Sequence, residues 1–119
     1  MKKTILSLII ISFIFLSCSK NSSYNNNNTG GSSNCTGVPN KFAADVNPII
    51  QSTCATDAAC HGSGSINGPG PLLTYTQIFN ARVAIKTAVN SGIMPKTGSL
   101  TAAQKNSIIC WIDAGAQQN

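Results

Sequence analysis

Two cysteines and a histidine stand together at Cys54-Ala-Thr-Asp-Ala-Ala-Cys60-His61, and a methionine follows downstream in Met94-Pro95. A thiol pair with a histidine directly after the second cysteine is the local chemistry of covalent haem attachment. The sulfurs take the haem vinyl groups and the imidazole takes the iron. The short form of that motif is C-x-x-C-H. In this chain five residues separate Cys54 from Cys60. A c-type haem also needs a distal ligand, and Met94, placed before a proline and between two helical stretches, is the candidate. His61 is the only histidine in the chain. His/Met ligation raises the iron's reduction potential and leaves no open coordination position, which favours electron transfer over oxygen chemistry.

The elements around these residues can be read from periodicity and capping. Phe42 to Thr53 reads as a first helix that delivers Cys54 at its end. Asp45 is its expected N-cap, Pro48 then falls in the first turn, and Val46, Ile49 and Ile50 form its apolar face. The stretch from Cys54 to Cys60 cannot continue that helix. Residues six apart lie about 240° round it and face away from each other. The segment must bulge, with Asp57 as a turn or cap residue. Such a bulge could present both sulfurs to one haem edge. It could equally close a small Cys54–Cys60 disulfide, contributing about 2 kcal/mol.

Gly62 to Pro71 is too rich in Gly and Pro for a helix. A backbone carbonyl near Pro69 or Pro71 is placed to receive the Nδ1 proton of His61, turning Nε2 toward a metal. Thr74 and Gln77 form a capping-box pattern that opens a second helix, with Ile78, Val83, Ile85 and Val89 as apolar positions and Ser91-Gly92 as its end. Thr101 and Gln104 open a third helix in the same way. Ile108, Ile109, Trp111 and Ile112 are its apolar face, and Gly115 is its stop. No stretch alternates with strand period, so the expected fold class is all-α, about three helices with long loops.

Residues 1–17 read as a leader. A short basic start is followed by an apolar run, Ile5 to Leu16, too short to span a bilayer comfortably. The run closes in Phe15-Leu16-Ser17-Cys18, which resembles a bacterial lipoprotein signal with Cys18 as the lipidated residue. Lipid on Cys18 also resolves an odd count of five cysteines in an exported chain, leaving Cys35, Cys54, Cys60 and Cys110. Residues 18–34 are Ser, Asn, Gly and Thr almost throughout and read as a tether with an average reach of about 20–25 Å. The domain follows over 35–119. At about 80 residues its core alone contributes only about 3–5 kcal/mol, so a disulfide, metal or buried cofactor is expected to support it.

Charge excludes some functions. Without the leader, six cations face three carboxylates, a net +3. The cations are scattered with no basic run, which argues against a nucleic-acid partner. A mildly basic surface suits docking onto an acidic redox protein, and equally an ordinary solvated surface. The three aspartates are dispersed, so no acid/base pair emerges and no small-molecule substrate is evident. One histidine without a third partner argues against a Cys–His hydrolase. A copper site from the same four residues is chemically possible, but nothing in their spacing recommends it over haem.

From Phe42 to Ala116 the chain resembles a small class I-type cytochrome c domain of the kind found in bacterial lipoproteins. The matching residues are Asp45 to Ile49, Cys60-His61, Gly70-Pro71-Leu72, Tyr75, Met94-Pro95, Gly98 to Thr101 and Trp111 to Ala116. The resemblance implies one haem c with Cys54 and Cys60 as thioether sites, His61 as proximal ligand and Met94 as distal ligand. It implies a single-electron carrier rather than an enzyme, held on the periplasmic face or cell surface through its lipid and working with redox partner proteins. It also places Cys35 beside Cys110, where a disulfide would clip the N-terminal arm to the last helix. Trp111 is expected in the core or the haem-pocket wall. A second reading is a haem-free domain of this fold, with Cys54–Cys60 and Cys35–Cys110 disulfides, acting as a binding or adaptor module.

Overall fold

The computed structural model describes residues 34–119. The expected leader, Cys18 and the tether up to residue 33 lie outside the described residues. A π-helical turn, Phe42–Val46, runs into α1, Asn47–Thr53; α2 is Tyr75–Ser91 and α3 is Ala102–Asp113. The described residues contain no strand, and the all-α expectation holds.

The first helix departs from expectation at its start. The run begins after Lys41, and Asp45 is not the N-cap. It sits inside the first turn, where its carboxylate accepts the Lys41 N–H at 2.8 Å. Pro48 falls in the first turn of α1, as expected, but that turn continues the π-helical one and so does not open the helical run. A proline there has no N–H to donate, and its ring crowds the carbonyl four residues back. The chain meets this with a widened turn, in which Val46 N–H donates to Lys41 O at 3.1 Å, five residues back. The start of this run has no side-chain cap of its own. Asn119 supplies one from the far end of the chain: Phe42 N–H donates to its Oδ1 and Ala43 N–H to its carbonyl, both at 2.8 Å.

Both expected capping boxes form. Gln77 N–H donates to Thr74 Oγ1 at 3.3 Å while Thr74 N–H donates to Gln77 Oε1 at 3.0 Å. Gln104 N–H and Thr101 N–H exchange the same pair of bonds at 3.2 and 2.9 Å. The apolar face of α2 is Ile78, Ala81, Ile85 and Val89. Val83, expected on it, is 69% exposed. Its place five residues after Ile78 turns it about 140° off that face. Gly115, with φ 96°, ends α3, and the chain turns back so that Ala116 is buried.

α3 packs against both α2 and the π-helical turn. Val46, Ile50, Ile78, Ile108 and Trp111 fill the centre, each fully buried or nearly so. Trp111 belongs to this core, with its ring 5.3 Å from Phe42. The Trp111 indole N–H donates to Gln117 O at 2.8 Å and the Tyr75 hydroxyl to Ala116 O at 2.9 Å. These bonds fasten the C-terminal segment over the aromatic cluster. Lys86 of α2 pairs with Asp113 of α3. The Cys35–Cys110 disulfide is formed, joining residues 75 apart in sequence with Cα atoms 5.4 Å apart. Closing a loop of that length removes about 4 kcal/mol of chain entropy from the unfolded state.

Candidate functional site

α1 ends at Thr53 with Cys54 as C-cap, and Cys54 N–H still donates to Ile50 O at 2.9 Å. The next residues leave the helix axis, as their spacing requires. Asp57 organises the excursion: Cys60 N–H donates to its Oδ1 at 2.9 Å and Gly62 N–H to its carbonyl at 2.7 Å. His61 N–H then donates to Cys54 O at 2.9 Å. In a C-x-x-C-H segment the histidine stands four residues after the first cysteine, and this is the bond a helical turn would give it. Here the extra residues are looped out, and the histidine returns to the same carbonyl. Gly62 makes the return possible, because a Cβ there would lie 2.7 Å from Asp57 backbone atoms.

The Gly/Pro loop is folded back onto this segment. Ser65, buried although polar, donates to Cys60 O at 2.5 Å, and Asn67 N–H donates to Ser65 Oγ at 3.2 Å. The Asn67 amide donates to Ala59 O at 2.8 Å, and Gly70 N–H donates to Asn67 O at 2.9 Å. That chain of bonds sets the Gly70 carbonyl 3.1 Å from His61 Nδ1. The expected carbonyl thus lies between Pro69 and Pro71. A carbonyl can only accept, so in the neutral ring Nδ1 carries the proton and Nε2 keeps its lone pair. His61 is buried. Leu72 N–H donates to His61 O at 2.8 Å, which ties the far end of the loop down as well.

Met94 is brought to the same place from the segment after α2, where Met94 N–H donates to Ala88 O at 3.3 Å. One cavity of about 370 Å³ is lined by Cys54, Cys60, His61 and Met94 together, with Gly68 and Lys96 among its other walls. That volume lies within the range of about 300–1,000 Å³ typical of small-molecule and cofactor sites. All four residues singled out by type and spacing therefore meet. Cys35 and Cys110 do not join them, and Trp111 is not on the cavity wall.

Cys54 and Cys60 are both free thiols. The Cys54–Cys60 disulfide, the other pairing open to them, is not formed. Burial pushes the Cys54 thiol above its ordinary value, and the nearby Cys60 adds to the shift by charge repulsion. Among the described residues no three His, Cys, Asp or Glu side chains gather to hold a metal ion. Two thiols, an imidazole with a bare Nε2 and a thioether spread round one cavity are a donor set that fits a large group gripped at several points.

Sequence reasoning missed Gly62, Ser65, Asn67 and Lys96. Gly62 carried a signal in its place directly after His61, where a looped segment must close. No protein-family model, curated protein or solved structure matches the chain.

Proposed function

We propose that the chain is a membrane-tethered monohaem c-type cytochrome, a single-electron carrier. The observation that carries this reading is the meeting of Cys54, Cys60, His61 and Met94 on one cavity, with the His61 Nδ1 proton committed to Gly70. Cys54 and Cys60 are free to form two thioether bonds. The hydrogen bond to Gly70 fixes the imidazole ring and raises the basicity of Nε2 as a ligand. Met94, on the same cavity, would offer its soft thioether sulfur to the iron. Bound haem supplies a one-electron couple at its iron. With His61 and Met94 both holding its iron, such a haem would keep no position open for a substrate, which suits electron relay rather than catalysis. Lipid on Cys18 would hold the domain at a bacterial membrane, and redox proteins would be its partners.

The visible spectrum of protein produced with export and haem-attachment machinery tests the reading. A Soret band that is lost in His61→Ala, and whose reduced form changes in Met94→Ala, is the expected result. Colourless wild-type protein overturns it and leaves a haem-free helical module.

A further inference from the structure

Lys96 is the one charged side chain lining the cavity. It stands two residues after Met94, on the segment between α2 and α3, and is exposed. Three of the domain's other four cations have partners for their side chains within it, and Lys41, the fourth, does not line the cavity. Lys86 pairs with Asp113, the Lys105 ammonium donates to Asn90 O at 3.0 Å, and Arg82 donates to Phe79 O at 2.7 Å while lying 4.0 Å from the centre of that ring. Lys96 has none among the described residues. The three carboxylates of the domain are already engaged, by the Lys41 N–H, the Cys60 N–H and the Lys86 ammonium. No aspartate lines the cavity.

A mostly apolar cavity with one unpartnered ammonium at its wall selects a flat apolar ligand that carries a carboxylate on its edge. We propose that Lys96 is the carboxylate anchor of this cavity, pairing with a propionate of the haem and so setting which way round the porphyrin lies. This rests on the haem reading above and adds to it a residue that no ligand motif contains. An exposed ion pair of this kind contributes at most about 1 kcal/mol, a factor of about five in binding. Lys96 therefore sets orientation and charge balance more than overall affinity.

The full chain produced without haem-attachment enzymes is titrated with protoporphyrin IX and with its dimethyl ester, whose carboxylates are neutralised. Binding is read by quenching of Trp111, the only tryptophan. Wild type is expected to bind the free acid about fivefold more tightly than the ester. Lys96→Gln should bind both alike, and Lys96→Arg should keep the preference. In haem-loaded protein, Lys96→Gln should shift the reduction equilibrium against a fixed mediator about fivefold toward the oxidised form, because a cation near the iron favours the reduced state. Coloured protein in which Lys96→Gln alters neither quantity overturns the role of Lys96 and leaves the haem reading standing. Wild type that stays colourless and binds neither porphyrin overturns both.

Discussion

His61 and Cys54 are joined by a backbone hydrogen bond of 2.9 Å that spans the looped-out segment between them. It is the bond a helix makes between residues four apart, here made between residues seven apart in sequence. The wide cysteine spacing and the short one thus end in the same local geometry at the histidine.

If the loop is an excursion from a helical turn, it can be removed. Deleting Thr56, Asp57 and Ala58 leaves Cys-Ala-Ala-Cys-His. The shortened chain should fold with little change in stability, since shortening a loop alters closure entropy by only about 0.6 kcal/mol per halving. Circular dichroism and thermal melting check the fold, and amide exchange at His61 checks the bond to Cys54. A molten or unfolded product would show that the loop is an integral part of the architecture.

Gly62 is the point where the loop closes on itself. A methyl group there would meet the Asp57 backbone at 2.7 Å, and backbone cannot swing aside as a side-chain tip can. Gly62→Ala should cost about 1–3 kcal/mol, the usual effect of overpacking. It should also loosen His61, so that its amide exchanges faster. Denaturant unfolding measures the first effect and hydrogen exchange the second. An unchanged midpoint would contradict the tight closure.

How much of this was legible in sequence depended on how local each signal was. Thr74 with Gln77 and Thr101 with Gln104 announced two helix starts, because a capping box needs nothing beyond its own turn. The carbonyl partner of His61 could be placed near Pro69 or Pro71, and Gly70 between them supplies it. Asp45 was misread because the residue that caps the first helix, Asn119, lies at the other end of the chain. Val83 was misread because apolar type alone does not say which face a residue occupies. Ser65 and Lys96 gave no signal. One owes its role to a loop folding back on Cys60, the other to having no partner, and neither condition is written in neighbouring residues.

The Cys54 thiol is held above its ordinary value by burial first and by Cys60 second. In haem-free protein, Cys54 should therefore be alkylated by iodoacetamide more slowly than Cys60 at pH 8. Cys60→Ser should recover only the smaller part of that difference. The linkage sign follows from the raised folded-state value. Neutral Cys54 contributes stability fully at pH values below the ordinary thiol range, about 8.5, and that contribution fades as pH rises through the higher folded-state value. Denaturant midpoints of the haem-free protein should fall between neutral and strongly alkaline pH, and less so in Cys54→Ala. Equal alkylation rates would contradict the burial of Cys54.

Cys35→Ala removes the clip between the N-terminal arm and α3. Chemical unfolding should show a loss of about 4 kcal/mol, from the loop it no longer closes. Cys110 is fully buried, so substituting Cys35 avoids opening a cavity in the core. The cavity residues lie elsewhere, and the spectrum of loaded protein should not change. A changed spectrum would mean that the disulfide also shapes the site.

Cys54, Cys60 and His61 are proposed to hold a haem. The decisive measurement is mass spectrometry of the proteolytic fragment spanning Cys54 to His61, from protein isolated from its own cell. The expected fragment is heavier by one haem, with neither thiol free to alkylate. A fragment without added mass, its two cysteines free or bonded to each other, would contradict the proposal.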